Sequence, residues 1–257
     1  MNTDFDLRVV CVHPCPFWRN AVTHGRGDAR GAYVQAMFSR IARRYDVMNR
    51  LMTFGRDRAW RRYVVQQAAL SSGKHLLDLG SGTGGIAIEA LRQHERLITV
   101  GADFALPMMQ VGRTRADGDR VRWCGANALR LPFPDATFDA ATSGYLIRNV
   151  PDPLAAFKEQ MRVIKPGGRV VCLDTSPPPR NVLRPFILFH LRVVIPMLGR
   201  LIAGDSSAYR YLPESTQKFK TPDELAAIMH EAGLIDVRYR RFMFRTMAVH
   251  VGVNRNA

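Results

Sequence analysis

The stretch Asp78-Leu79-Gly80-Ser81-Gly82-Thr83-Gly84, arriving directly off the apolar pair Leu76-Leu77, constrains this chain more than any other. An apolar run that meets an acid and passes into alternating glycines describes a buried strand ending in a tight turn. Glycine has no Cβ and takes φ > 0 without steric cost. Gly80, Gly82 and Gly84 therefore let a bulky small molecule lie against main chain at the opening of the next helix. The spacing overlaps the dinucleotide-binding G-x-G-x-x-G through Gly85, yet an acid, Asp78, stands ahead of the turn.

The following apolar run, Leu97-Ile98-Thr99-Val100-Gly101-Ala102-Asp103, ends in a carboxylate nineteen positions beyond Gly84. A carboxylate there accepts hydrogen bonds from ribose hydroxyls. Nicotinamide dinucleotides and S-adenosylmethionine both carry ribose, but the sulfonium compound also brings a cation to the start of the turn, where Asp78 waits. The expectation is S-adenosylmethionine, held by Asp78, Gly80, Gly82, Thr83 and Gly84, with Asp103 on the ribose. The competing structural reading is a bare tight turn, with Asp103 capping the helix from Ala105 onward.

Helical spacing from Tyr33 to Ala69 sets Val34, Met37, Phe38 and Ile41 on one face and Trp60, Val64 and Ala68 on another, with a break near Thr53-Phe54-Gly55. Strands at 75–79, 97–103, 120–125, 138–143 and 169–175 then alternate with helices at 84–93, 105–116 and 152–163. Such alternation implies parallel strands joined by right-handed crossovers. A helix at 221–232 and two strands near 235–241 and 245–252 finish the chain as a hairpin. The fold class is α/β: a Rossmann-like methyltransferase fold with a mainly parallel seven-stranded sheet, a C-terminal antiparallel hairpin and extra N-terminal helices. Ligands in such sheets bind beyond the carboxyl ends of the strands. That rule adds Asn127 and Ala128 after the third strand, and Ser143 and Gly144 after the fourth, to the cofactor contacts. Asn127 suits an adenine edge or an Asx-turn into Leu129 equally well. Lys165-Pro166-Gly167-Gly168 reads as a turn feeding the fifth strand.

With 257 residues and 47% apolar content the chain suffices for one such domain, taken as 31–257, behind a Pro-, Gly- and Arg-containing extension at 1–30 read as disordered. No apolar h-region precedes it, which argues against secretion. The four cysteines form no C-x-x-C pair, and Cys11, His13 and Cys15 are too few for a metal site, so no metal is expected. The net charge of +15 predicts attraction to nucleic acid or to an anionic membrane. Between Arg180 and Ala203 lies a run rich in Val, Leu, Ile and Phe. Arg184, His190, Arg192 and Arg200, with Pro185 and Pro196, interrupt it, so it reads as too polar to span a bilayer. It suits an ordinary buried helix, a greasy pocket wall or a headgroup-level helix.

These residues together resemble the ubiquinone/menaquinone biosynthesis C-methyltransferase family from about Val34 to Val253. The resemblance is carried by Tyr45-Asp46-Val47-Met48-Asn49 through Gly55 and Trp60, by Asp78 to Gly84, and by Arg162-Val163-Ile164-Lys165-Pro166-Gly167-Gly168 through Ser176. Weaker matches are Asn127-Ala128, Arg148-Asn149-Val150 and Tyr209-Arg210-Tyr211-Leu212. Departures are Thr53 for the usual Ser, Asp57 for His, Asp174 for Glu, and Gly144 for a cofactor-contacting Ser that Ser143 would replace. The resemblance implies methyl transfer from S-adenosylmethionine to a ring carbon of a prenylated quinol, a demethylmenaquinol or a ubiquinol precursor, in a cytoplasmic enzyme held peripherally on the inner face of an anionic membrane. Another lipid or small molecule, or RNA, remains as the alternative acceptor. Against RNA, Ser143-Gly144-Tyr145-Leu146 lacks the Pro-Pro-aromatic clamp for a flipped base, so no nucleic-acid partner is expected; homodimerisation stays open. Arg148 is the candidate cation for a phenolate, and Asp174, His190 and Tyr209 are candidates for proton handling or quinol hydrogen bonds. Tyr45, on the early helix, would close the cofactor site.

Overall fold

In the computed structural model, which describes residues 29–203 and 206–255, the chain reverses its direction of sheet growth after the third strand, and that reversal creates the crevice. Among the described residues the sheet has seven strands in the order β3-β2-β1-β4-β5-β7-β6. They are β1 (His75–Leu79), β2 (Ile98–Asp103), β3 (Arg122–Gly125), β4 (Phe138–Gly144), β5 (Ile164–Thr175), β6 (Leu234–Phe242) and β7 (Met247–Asn254). From β1 the chain builds outward to β3, then returns to lay β4 on the other side of β1, so the ends of β1 and β4 diverge. β7 inserts antiparallel between β5 and β6, as the hairpin pattern at the C-terminus predicts.

Period-two alternation in β1 sends Leu77 and Leu79 into one core layer with Phe138, Phe157, Val170 and Leu225, and Leu76 into the other with Trp60, Ile88, Leu91 and Val171. Helices α4 (Gly85–Gln93), α5 (Leu106–Arg113) and α6 (Pro153–Val163) are the crossovers, and α9 (Pro222–Glu231) precedes the hairpin. Local chemistry sets their starts. The Asp152 carboxylate accepts the Ala155 N–H at 3.0 Å with Pro153 in the first turn of α6, and Thr221 and Glu224 form a reciprocal capping box on α9. β5 begins five residues earlier than the pattern suggests. Phe138 pairs with Ile164 and Ala140 with Arg169, so the expected Lys165–Gly168 turn is an excursion inside the strand.

Helices α1 (Ala29–Ile41), α2 (Tyr45–Met52) and α3 (Asp57–Gln67) stand ahead of the sheet, broken at Thr53–Arg56 as expected. They do not stand alone. Met37 and Ile41 of α1, and Met48 and Met52 of α2, share a core cluster with Ile195 of α7 (Arg184–Ile202) and with Ala208 and Tyr209 of α8 (Ser206–Lys218). This helical cap covers the ends of β1, β4 and β5.

The run at 180–203 corrects the sequence reading. Pro185 falls in the first turn, where its missing N–H has no partner to lose, and wider π-helical turns at His190–Val194 and Gly199–Ala203 flank Pro196 in an unbroken helix. Arg184–Ile202 has a mean hydropathy of 1.6 and is, by length and composition, long and apolar enough to cross a bilayer. The expected extension at 1–30 lies almost wholly outside the described residues.

Gly84 shows why the loop demands glycine. It sits at φ +75°, and a Cβ there would meet the Trp123 ring at 2.5 Å. Gly84→Ala adds about 1–2 kcal/mol of left-handed strain to about 1–3 kcal/mol of overpacking. Chemical denaturation should therefore show a loss of about 2–5 kcal/mol with an unchanged m-value.

Candidate active site

The glycine loop is held open by two buried carboxylates. Asp78 shares the pleat face of Leu76, which aims it at α4: one oxygen accepts the Ala87 N–H at 3.1 Å and the other accepts the Thr142 hydroxyl at 3.0 Å. Asp103 accepts the Gly82 N–H at 2.7 Å and the Ala105 N–H at 2.8 Å. The second bond is the helix-capping role weighed above, and the first ties the end of β2 to the turn after β1. Gly80 and Gly82 stand at φ +64° and +54°, their main chain lining a crevice shared with Asp78, Asp103 and Gly144. Burial pushes the Asp78 carboxyl up to about 7 against the pull of the Thr142 and Ala87 hydrogen bonds, and burial likewise raises Asp103 above the ordinary carboxylate range.

The cap is latched to this loop by charge. Asp46, beside Tyr45 at the start of α2, accepts the Thr83 hydroxyl and an Arg115 N–H, each at 2.9 Å, and Arg115 also donates to the Thr83 carbonyl at 3.0 Å. Arg61 pairs with Asp57 at 3.2 Å, and its guanidinium occupies the space a Cβ on Gly85 would need. Gln35 donates to the Phe104 carbonyl at 2.6 Å, closing α1 over the end of β2. The contacts of Asp46 with Thr83 and Arg115, and of Arg115 with Thr83, leave no local pattern because the partners lie 37, 69 and 32 residues apart in sequence.

A second, mostly apolar cavity lies under the cap, and Tyr45 and Tyr145 line both it and the glycine-loop crevice. Tyr145 follows β4 at φ +61°, a left-handed conformation rare for an aromatic residue, with its N–H donated to the Leu173 carbonyl at 2.8 Å. Met52, Leu191 and Ile195 supply apolar wall, and Arg148 supplies charge. Arg148 donates its backbone N–H to one Asp174 oxygen at 3.1 Å and its guanidinium to the other at 2.6 Å, and it lies 5.2 Å from the centre of the Tyr145 ring. Burial disfavours that charge, but Asp174 more than offsets it and holds Arg148 above its ordinary value. His190 lines the same cavity, stacked on Phe54, with Nε2 at 3.2 Å from the Met52 carbonyl. Since a carbonyl only accepts, this contact calls for an N–H on Nε2, which in the neutral ring puts the lone pair on Nδ1.

Several expected site residues sit elsewhere. Asn127 folds its side-chain oxygen back to the Leu129 N–H at 2.9 Å, the Asx-turn alternative, and Ala128 packs in the core beneath the sheet. Ser143 is buried in β4 opposite Cys172 and lines neither part of the crevice, so it does not replace the family's serine. Asp174 accepts from Arg148 and from the Thr175 N–H at 2.7 Å and lines neither the crevice nor the acceptor cavity, which makes it the counter-ion of Arg148. Tyr209 is fully buried in the cap core, where it fits against Gly199, and does not reach the cavity. Ser81 and Tyr145 enter the site in their stead. Their hydroxyls are buried at the crevice without a hydrogen-bond partner, the mark of groups awaiting a ligand.

The residues present fit a sulfonium nucleoside. Asp103, with three backbone N–H partners in Gly82, Ala105 and Phe104, keeps a lone pair for a ribose hydroxyl, Asp78 offers a carboxylate to a cation, and Arg61 offers a guanidinium to an amino-acid carboxylate.

Comparison with known proteins agrees with this geometry. A model of the ubiE/COQ5 methyltransferase family matches residues 26–254. The ubiquinone/menaquinone biosynthesis C-methyltransferase UbiE of Desulfotalea psychrophila is 45% identical over 225 residues, 88% of this chain and 92% of that protein. The demethylmenaquinone methyltransferase of Thermus thermophilus is 45% identical over 218 residues, 84% of this chain and 99% of that one. Among solved structures, phosphoethanolamine N-methyltransferase 2 of Haemonchus contortus, bound to S-adenosylhomocysteine, superposes with a TM-score of 0.59 at 16% identity, covering 77% of this chain and 53% of its own. A methyltransferase from Aquifex aeolicus gives 0.57 at 17% identity, over 81% and 97% of the two chains. At such identities these two establish the fold.

The raised Asp78 carboxyl generates a signed prediction. Its ordinary value is 3.8, so the folded protein binds this proton more tightly than the unfolded chain. The stability it contributes is complete below about pH 4 and lost as pH rises through about 7. Asp78→Asn imitates the protonated form and keeps an acceptor for Ala87, so at pH 8 it should melt no lower than the parent. Its affinity for S-adenosylmethionine should nevertheless fall about tenfold or more in calorimetry, and lose the weakening that the parent shows below about pH 7.

Proposed function

Because this chain belongs to the ubiE/COQ5 methyltransferase family, we propose that it transfers a methyl group from S-adenosylmethionine to a ring carbon of a prenylated quinol, a demethylmenaquinol or a ubiquinol precursor. The observation that carries the choice of acceptor is the apolar cavity that shares Tyr45 and Tyr145 with the nucleoside crevice and holds the paired guanidinium of Arg148. An aromatic ring edged by hydroxyls suits a greasy chamber with one fixed cation far better than a phosphorylated or nucleic-acid acceptor does.

S-adenosylmethionine supplies the methyl as an electrophile on sulfonium. The protein's task is to align the ring, exclude water and raise the electron density of the accepting carbon. A hydroquinol carbon becomes nucleophilic when a neighbouring hydroxyl loses its proton. Arg148, held by Asp174 and therefore unable to swing away, is placed to stabilise the resulting oxyanion. The Nδ1 lone pair of His190, freed by the Nε2 contact with Met52, is the candidate acceptor for the hydroxyl proton. Asn149 donates to the Tyr145 carbonyl at 2.8 Å and accepts from the Tyr211 hydroxyl at 3.1 Å, which fixes the left-handed turn that places Tyr145 between the two chambers. The acceptor cavity is walled by residues of α2, α7 and α8, among them Met52, His190, Ile195 and Thr216, so the ring would lie between the cap helices and the end of the sheet. We place the enzyme on the cytoplasmic side, at the membrane where such an acceptor resides.

The deciding experiment incubates the protein with methyl-labelled S-adenosylmethionine and membranes from cells blocked at quinone methylation. Label should enter the quinone fraction; label in RNA with none in quinone would overturn the reading. Arg148→Lys keeps the charge but loses the planar guanidinium that donates to Asp174 at 2.6 Å. It should lower kcat about 10²-fold in that assay while leaving S-adenosylhomocysteine affinity, read by calorimetry, unchanged.

A further inference from the structure

Helix α7 breaks the usual pattern of a helix on a protein surface. Its inner positions Leu191, Ile195, Leu198 and Ile202 pack on the cap core and Ile187 is buried too, and a soluble helix would answer them with a polar outer face. Instead Phe186, Phe189, Val193, Met197 and Leu201 form the outer face, with Phe186 74% and Leu201 73% exposed and only 17% of the apolar window buried. The outer residues follow at intervals of three, four, four and four. In an ideal α-helix each four-residue step would drift about 40° around the axis. The π turns at His190–Val194 and Gly199–Ala203 underwind the helix and keep the stripe on one side. Phe54, 70% exposed and stacked on His190, extends the patch to the α2–α3 turn.

We propose that this stripe docks on an anionic lipid surface, with α7 lying at the headgroup boundary and the acceptor cavity opening toward the acyl region. Charge selects the occupant. No acidic residue occurs between Asp174 and Asp205, while Arg180, Arg184, Arg192 and Arg200 are all exposed along or beside the helix. An apolar stripe flanked by arginines, in a chain of net charge +15, matches negatively charged headgroups above hydrocarbon. Although α7 is long enough to span, its inner face is already seated on the cap core, and a spanning helix would have to give up that packing. His190, Leu191 and Ile195 line the acceptor cavity from this same helix, so docking sets the cavity's wall against the membrane. The surface stands on its own geometry; that it admits the acceptor sideways from lipid rests on the function proposed above.

The test is co-sedimentation of the full chain with vesicles of phosphatidylcholine alone and of phosphatidylcholine with phosphatidylglycerol, with no acceptor present. Binding is expected to the mixed vesicles, weakened by added salt. The double variant Phe186→Asp/Leu201→Asp should bind at least about tenfold more weakly with an unchanged S-adenosylhomocysteine affinity. It should methylate a detergent-dispersed acceptor at the parent rate and a vesicle-embedded acceptor slowly. Equal retention on neutral and mixed vesicles, undiminished binding by the variant, or a parent dimer that the variant dissolves would each overturn the proposal. Failure to methylate any quinol, with vesicle binding intact, would count against the acceptor assignment alone.

Discussion

The hydrogen bond from the Gly82 N–H to the Asp103 carboxylate, 2.7 Å long, is the contact on which the site depends. It joins the turn after β1 to the end of β2 and holds a left-handed backbone that would otherwise relax. Asp78 performs the matching task on the other side, fastening the first turn of α4 to β1 through the Ala87 N–H. Both carboxylates are buried, and both are pushed toward neutrality by that burial. Ionising either carboxylate in the buried site therefore costs stability, and a cationic nucleoside carrying ribose hydroxyls offsets that cost when it binds.

Around this centre the cap works as a second layer that reads the loop. Asp46 bridges Thr83 and Arg115, so α2 closes only over a properly formed glycine turn. Tyr45, next in sequence, is thereby set between the nucleoside crevice and the apolar chamber. The cap's own packing, through Met37, Met48, Ile195 and Tyr209, is independent of the sheet cores. The layer is joined to the glycine turn and the end of β2 by the polar contacts of Asp46 and Gln35 and by a small apolar cluster in which Ala42, Phe38 and Tyr45 meet Ala105 and Met108.

Much of this was legible along the chain. Strand and helix periods, the glycine turn and the carboxylate at Asp103 each depend on neighbours within a few residues or on one repeat of a βα unit. Their placement agrees with the structure to within a few residues, β5 apart. The Asn127 and Asp103 side chains were legible only as choices, since an Asx-turn, a cap and a ligand contact use the same atoms. Tyr209 and Asp174 misled because a tyrosine near a helix start and an acid at a strand end look alike whether they face a cavity or a core. The interruption expected at Pro185 and Pro196 failed because π turns flank the second proline, a backbone choice set by packing against α2 and α8.

By itself the sequence determined the doubly wound sheet, the nucleoside crevice and the family, because those rest on local periodicity and on glycines whose conformations no other residue adopts cheaply. Tertiary structure alone decided that Asp174 serves Arg148, that Asp46 latches the cap, that Ser81 and Tyr145 present unpartnered hydroxyls, and that the apolar stripe of α7 faces outward. Each of these is a pairing, or a missing one, between groups far apart in the chain. Only the closed fold sets the distances and the burial on which such interactions depend.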